Sequence, residues 1–161
     1  MADEVRIDFT GGRRMIKAME RDSGPFARMY KQWAAMYSTE MRRRFMRQGD
    51  GEWPPLKQST KKGRRRGGGS AKILRDTGSL FKALSIGSRG NHTKPIKNGI
   101  RFGFGGSTHS GGFTFRRLAI THQIGLGRNL PRREILVHPD RYPALVARML
   151  KAAGRAFKGP F

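Results

Sequence analysis

The chain has 161 residues, enough for one core, and contains no cysteine, which excludes disulfides, thiolate metal sites and a cysteine nucleophile. Hydrophobic residues make up only 36% and glycines number 22, the profile of a modest core carrying long loops. Lys and Arg number 34 against 11 Asp and Glu, and the resulting formal charge of +23 opposes compaction and attracts polyanions, nucleic acid first among them.

Apolar runs stay well short of the roughly 18 residues that span a bilayer. The opening Met1-Ala2-Asp3-Glu4-Val5 lacks a basic region followed by an apolar stretch, so a soluble, unsecreted single domain over 1–161 is expected, with no membrane contact. Val5, Ile7 and Phe9 alternate with Arg6 and Asp8, the period of a half-buried edge strand, and Gly11-Gly12 would end it. Met15, Ile16 and Met19 recur at helical spacing until Asp22-Ser23-Gly24-Pro25 interrupts. Beyond that break Phe26, Met29, Tyr30, Trp33, Met36, Tyr37, Met41 and Phe45 form one apolar stripe, which predicts a helix over 25–48. Ser23 is placed to accept a backbone N–H, Pro25 suits the first turn, and Arg42, Arg43, Arg44 and Arg47 oppose the negative end of the helix dipole. Because the stripe keeps helical period throughout, it reads as core and not as a platform for stacking bases.

Lys57, Lys61, Lys62, Arg64, Arg65, Arg66, Lys72 and Arg75 surround Gly67-Gly68-Gly69 without an acidic residue among them. Such a stretch cannot supply a core and is expected to be a flexible basic loop at 57–72 that orders against a phosphate backbone or an acidic neighbour. Arg42, Arg43, Arg44, Arg47, Lys61, Lys62, Arg64, Arg65 and Arg66 are the candidate contacts to DNA or an acidic partner. Residues 81–88 and 99–104 show partial alternation across a Gly-Asn-His-Thr-Lys-Pro turn region and predict an antiparallel hairpin. A loose glycine-rich loop, a short helix over 115–123 and a third strand over 130–137 follow. Tyr142, Leu145, Val146, Met149, Leu150, Ala153 and Phe157 predict a last helix, with Asp140 as its cap and Pro143 in its first turn. The sum is an α+β fold: a small antiparallel sheet packed with a long N-terminal helix and a C-terminal helix, between long basic and Gly-rich loops.

Little in the chain suits catalysis. His92, His109, His122 and His138 are scattered without the spacing of a helical metal face, and from residue 53 onward the acids are Asp76, Glu134 and Asp140. The glycines at 67–69 and 103–106 lack the Lys-Ser/Thr ending of a P-loop, and Asp76-Thr77-Gly78 suits a turn or helix cap. No catalytic, cofactor or metal site is assigned, and the chain is read as a non-enzyme.

The order of several motifs carries more information than any of them singly. Trp53-Pro54-Pro55-Leu56 follows the long helix, and Thr60-Lys61 opens the basic stretch. Ile73-Leu74-Arg75-Asp76-Thr77-Gly78-Ser79-Leu80 comes next, then Ile86 in an expected strand, His122-Gln123 with Gly125, and Pro131, Arg133 and Leu136 before the last helix. This string resembles the phage virion morphogenesis, or tail-completion, family of Mu-type phages and, more distantly, the neck proteins of long-tailed phages. Leu118 departs from the aromatic common at its position, and Arg132 and Glu134 flank Arg133 where Ala and Pro are usual. The resemblance implies structural or interface roles for Trp53, Pro54, Leu56, Asp76, Thr77, Gly78, Leu80, His122, Gln123, Gly125, Pro131 and Arg133. It further implies a virion protein at the head-to-tail junction, made in the host cytoplasm. That protein would form a homo-oligomeric ring, a hexamer by resemblance, bind a head-closure protein and a tail terminator or tail tube protein, and surround double-stranded DNA. The alternative is a sequence-tolerant nucleic-acid-binding module with no virion role; closed rings would favour the first reading, a monomer coating nucleic acid the second.

Overall fold

A computed structural model describes residues 5–8, 25–96, 99–109, 111–126 and 130–156. Its elements are β1 (Val5–Asp8), α1 (Pro25–Met46), α2 (Gln58–Arg66), α3 (Ser79–Lys82), β2 (Lys94–Ile96), β3 (Gly99–Phe102), α4 (Phe115–Ile124) and α5 (Pro143–Ala156), with a 3₁₀ turn at Pro139–Arg141 before α5. The expected α+β class is observed.

The apolar stripe makes α1 the spine of the core. Met29, Trp33, Tyr37, Met41 and Phe45 are each at most 1% exposed, and the helix packs on α5 on one side and on the sheet on the other. Trp33 donates its indole N–H to Met149 O at 2.8 Å, fixing α1 to α5. The ring of Tyr37 meets that of Phe102 edge-on at 5.0 Å, fixing α1 to β3. The helix ends at Met46, two residues before the expected boundary, where Gln48, Gly49 and Asp50 take positive φ in succession. At Gly49, φ is 81°, and a Cβ would lie 2.2 Å from the Trp53 ring, so glycine lets the chain turn back and lay Trp53 on Phe45.

The sheet has the order β1-β3-β2, antiparallel throughout, with Val5 opposite Phe102 and Lys94 opposite Arg101. Ile100 and Phe102 of the central strand point into the core, as the two-residue period requires. The edge strand expected from Val5 and Ile7 is therefore present; Phe9, Gly11-Gly12, Ser23 and the helical pattern at Met15–Met19 lie outside the described residues. The expected hairpin differs from the one observed. Its first arm is Lys94–Ile96, while residues 81–88 finish α3 and then turn, leaving Ile86 46% exposed and outside any strand. The turn residues there prevail: Ser88 Oγ donates to the carbonyls of Lys82 and Ser85, and Asn91 Nδ2 to Ala83 O.

Two further corrections concern α2 and residues 130–137. The basic stretch is helical over Gln58–Arg66 although none of its residues is buried. Lys and Arg are good helix formers, and Arg64, Arg65 and Arg66 in the last turn favour the negative dipole end, so composition alone understated its local order. Residues 130–137 pair with no strand. They form no regular element and run into the core with a bend at Leu136, where Ile135, Leu136 and Val137 are buried and side chains meet much of the backbone. The amide of Gln123 accepts from the N–H groups of Ile135 (2.7 Å) and Leu136 (3.0 Å) and donates to Leu136 O (2.8 Å). Tyr37 donates to Val137 O at 2.8 Å, while Trp53 and Arg44 both donate to Glu134 O. The helix expected over 115–123 is α4, which holds Gln123 in place and ends at Gly125, in a left-handed turn at φ 73°. Asp140, expected to cap α5, instead lies in the 3₁₀ turn beside His138 at 3.1 Å, while Pro143 opens α5 as expected.

Replacing Gln123 by Ala strands two buried N–H groups and one carbonyl, and each buried unsatisfied group costs about 1–3 kcal/mol. The expected outcome is a loss of at least ~2 kcal/mol in urea unfolding, with Gln123→Glu, which keeps the acceptor but not the donor, also destabilised.

Candidate functional site

The residues singled out from the sequence separate into an outward basic face, an ion-pair network around the buried Arg44, and a groove. Lys62, Arg65 and Arg66 project from α2 exposed, with Lys61 half-buried beside them, and among the described residues none of these four has a carboxylate partner. Arg42 is exposed and stacks on Phe81 at 5.1 Å, with Arg75 at 4.5 Å from the same ring. Arg43 and Arg47 reach solvent while leaning on Glu40 (3.4 Å) and Asp50 (3.6 Å).

Arg44 and Arg64 do not belong to that face. The side chain of Arg44 is 2% exposed, donating to Glu52 at 2.6 Å, to Tyr142 Oη at 3.2 Å and to Glu134 O at 3.2 Å. Burial works against its charge, but the Glu52 and Tyr142 bonds outweigh burial and raise its pKa, while the Arg44 hydrogen bond holds Glu52 below the usual carboxylate range. Arg141 continues the network, bonded to Glu52 at 2.8 Å and to Glu134. Tyr30, Tyr37 and Arg44 follow one another at seven-residue steps, which marks Arg44 as a member of the apolar stripe. Glu52, Glu134, Arg141 and Tyr142 carry no such signal, since they meet only through tertiary structure. Arg64 is 19% exposed; it donates to the carbonyls of Ser70 and Lys72 and sits 3.7 Å from Asp76, tying α2 to the loop behind it.

The motif residues fall into place around this frame. Trp53 and Gln123 hold the irregular segment, Leu80 is buried in the core, and Gly125 turns where a Cβ would sit 2.8 Å from Arg132 N. Asp76 O accepts from Ser70 N, and Gly78, at φ 72°, opens α3. Thr77 Oγ1 and Ser79 Oγ lie 2.8 Å apart, and His109 Nε2 meets Ser79 Oγ. His109 Nδ1 accepts from Gly111 N at 3.1 Å, which puts the ring proton on Nε2. This histidine therefore donates to Ser79 and is not arranged as the base that would activate it. Among the described residues no three His, Asp or Glu converge as a metal site, and no helix is long and apolar enough to cross a membrane.

Pro54, Leu56, His122, Pro131 and Arg133 border one open groove of about 520 Å³, closed on its other side by Thr60 and Arg64 of α2. Arg133 is 4% exposed, and its Nη2 donates to Pro54 O at 3.1 Å. Its Nε and the Nδ1 of His122 are buried without a hydrogen-bond partner. Burial, then the nearby charges of Arg133 and Arg64, push the His122 pKa down to about 4; burial and Arg64 likewise lower that of Arg133.

A model of the phage virion morphogenesis family matches residues 7–145. The chain belongs to that family. Searches among curated proteins and among solved structures find no match. The family match covers α1, the basic helix, the groove and the irregular segment, and it gives the chain a structural role in building a phage particle.

His122 sets a pH dependence. Its folded pKa of about 4 lies below the ordinary 6.5, so above pH 6.5 it contributes nothing, and between 6.5 and 4 the unfolded chain binds a proton that the folded chain does not. Stability should fall by on the order of 1–2 kcal/mol over that window, after allowance for partial exposure. Urea unfolding at pH 7, 5.5 and 4.5 measures it, and His122→Asn should flatten that part of the profile.

Proposed function

We propose that this protein is a neck or tail-completion subunit. Copies of the chain close into a ring at the head-to-tail junction, a hexamer by likeness to the neck proteins, with a head-closure protein on one side and a tail terminator or tail tube protein on the other. The ring surrounds the path of the double-stranded DNA.

The observation that carries this reading is the segregation of charge. Each carboxylate from Glu40 to Glu134 sits in an ion pair with arginine: Glu40 with Arg43 and Arg148, Asp50 and Glu52 with Arg44, Asp76 with Arg64, and Glu134 with Arg141, while Asp140 lies exposed beside His138. The surplus cations of α2 are left facing outward on a helix with no buried residue. Repeated around a ring, that helix would line a passage with phosphate-binding cations that read no base sequence, which suits DNA that must move through it.

Two measurements test the reading. Electron microscopy of the phage particle should locate the protein at the head-to-tail junction as a closed ring; density for it at the tail tip or in the capsid shell would end the proposal. Replacing Lys62, Arg65 and Arg66 by Ala should lower the slope of log K against log salt for duplex DNA by about 2–3, at roughly 0.9 for each phosphate no longer neutralised, with unfolding unchanged. Arg64 is left out of that set because it holds the loop at Ser70–Lys72.

A further inference from the structure

The groove between α2 and the Leu130–Arg133 segment is lined by cations and by no carboxylate. Arg64, Arg133 and His122 face it or lie just beneath it, with Lys57 at its rim. Asp76, 3.7 Å from Arg64 on the side of the Ser70 loop, does not line the groove. Arg133 is almost wholly buried yet leaves Nε unpaired, and His122 leaves Nδ1 unpaired. Buried polar atoms are normally satisfied, and two orphans beside one groove point to a group that completes them. The walls are Pro54, Leu56, Leu74, Leu130 and Pro131, apolar surfaces that fit an extended polypeptide.

We propose that this groove receives an extended segment of a partner protein and that a Glu or Asp side chain of that segment seats its carboxylate against Arg133 and Arg64. Duplex DNA does not suit the site. Its phosphates lie on a wide, hydrated surface, whereas Arg133 sits recessed behind proline and leucine walls. An Arg–carboxylate bond is short and directional and is strengthened by exclusion of water, which the walls provide. His122, held neutral between two guanidinium groups, would gain an anion beside it and so bind a proton more readily. The inference deepens the assembly role by naming the chemistry of one partner contact, but it does not depend on where in the particle that contact is made.

The test uses the purified full chain and a pool of acetylated, amidated hexapeptides with a fixed central Glu, compared with the same pool carrying Gln. NMR follows the Arg133 Nε–H and the His122 ring. The Glu pool should yield binders at least tenfold tighter than their Gln counterparts, shift the Arg133 Nε–H downfield and raise the His122 pKa. Arg133→Gln should abolish the preference for Glu. Thr60→Glu places a carboxylate at the groove from an exposed position early in α2, where it cannot unfold the protein, and should block the peptides. Equal binding of both pools, no binder in either, or a shift of the Arg133 Nε–H by a short DNA duplex as large as that by peptide would each overturn the proposal. A particle image that places the protein elsewhere would leave this result standing, and a groove indifferent to Glu would leave the position in the particle untouched.

Discussion

The fold depends on burying an irregular segment, bent at Leu136, that no strand pairs. Residues 134–137 enter the core with their peptide groups exposed to an apolar environment, and an amide left there without a partner is costly. The protein meets that constraint with side chains from three separate places: Tyr37 and Arg44 on α1, Trp53 after the turn at Gly49, and Gln123 on α4. Gln123 suits the role because its amide has the donor and acceptor of a peptide group and can stand in for a neighbouring strand. Each of these residues also ties its own element to the segment, so the requirement that fixes 134–137 organises α1, α4 and the Trp53 turn about one line.

The same requirement shapes the charge. Arg44 reaches Glu134 O only by being buried, and a buried guanidinium must be paired, so Glu52, Asp50 and Tyr142 close around it and Arg141 closes around Glu52 and Glu134. Acids are scarce in this chain, and the core frame uses several of them. Among the described residues Lys62, Arg65 and Arg66 are left with no carboxylate partner and lie outward. The basic exterior follows from composition, and the pairing decides which cations remain without a carboxylate.

Much of this was legible from the sequence where a periodic signal exists. The stripe from Met29 to Phe45 located α1 and its buried face, the alternation at Val5–Ile7 located β1, and Pro143 with Leu145 and Met149 located α5. Residues 130–137 form no strand although Ile135, Leu136 and Val137 have the composition of one, because composition does not tell whether a backbone or a glutamine supplies the partners. The first arm of the hairpin lies later than the alternation suggests, because apolar residues at 81–84 fit either a strand or the short helix that Gly78 and Ser79 open. Charge groups Arg44 with its neighbours, whereas its helical position puts it among Tyr30, Tyr37 and Met41. The motif string was the best guide to the groove, since Pro54, Leu56, His122, Pro131 and Arg133 are separated by up to 79 residues and still border one cavity.

The two faces of the irregular segment explain why those motif residues belong together. On the core side Trp53 and Gln123 fix the backbone of 134–136; next to them along the chain, Pro54 and His122 turn outward to the groove, where Arg133 closes on Pro54 O and its own N–H bonds His122 O at 2.7 Å. A shift of the segment would therefore move Arg133 relative to α2, and a ligand bound at Arg133 would be felt in the hydrogen bonds that hold 134–136. Gln123 and Tyr37 meet the backbone on the core side, while the buried Arg133 Nε and His122 Nδ1, beside the groove, have no hydrogen-bond partner. Those two atoms are the ones that the proposed carboxylate contact would involve.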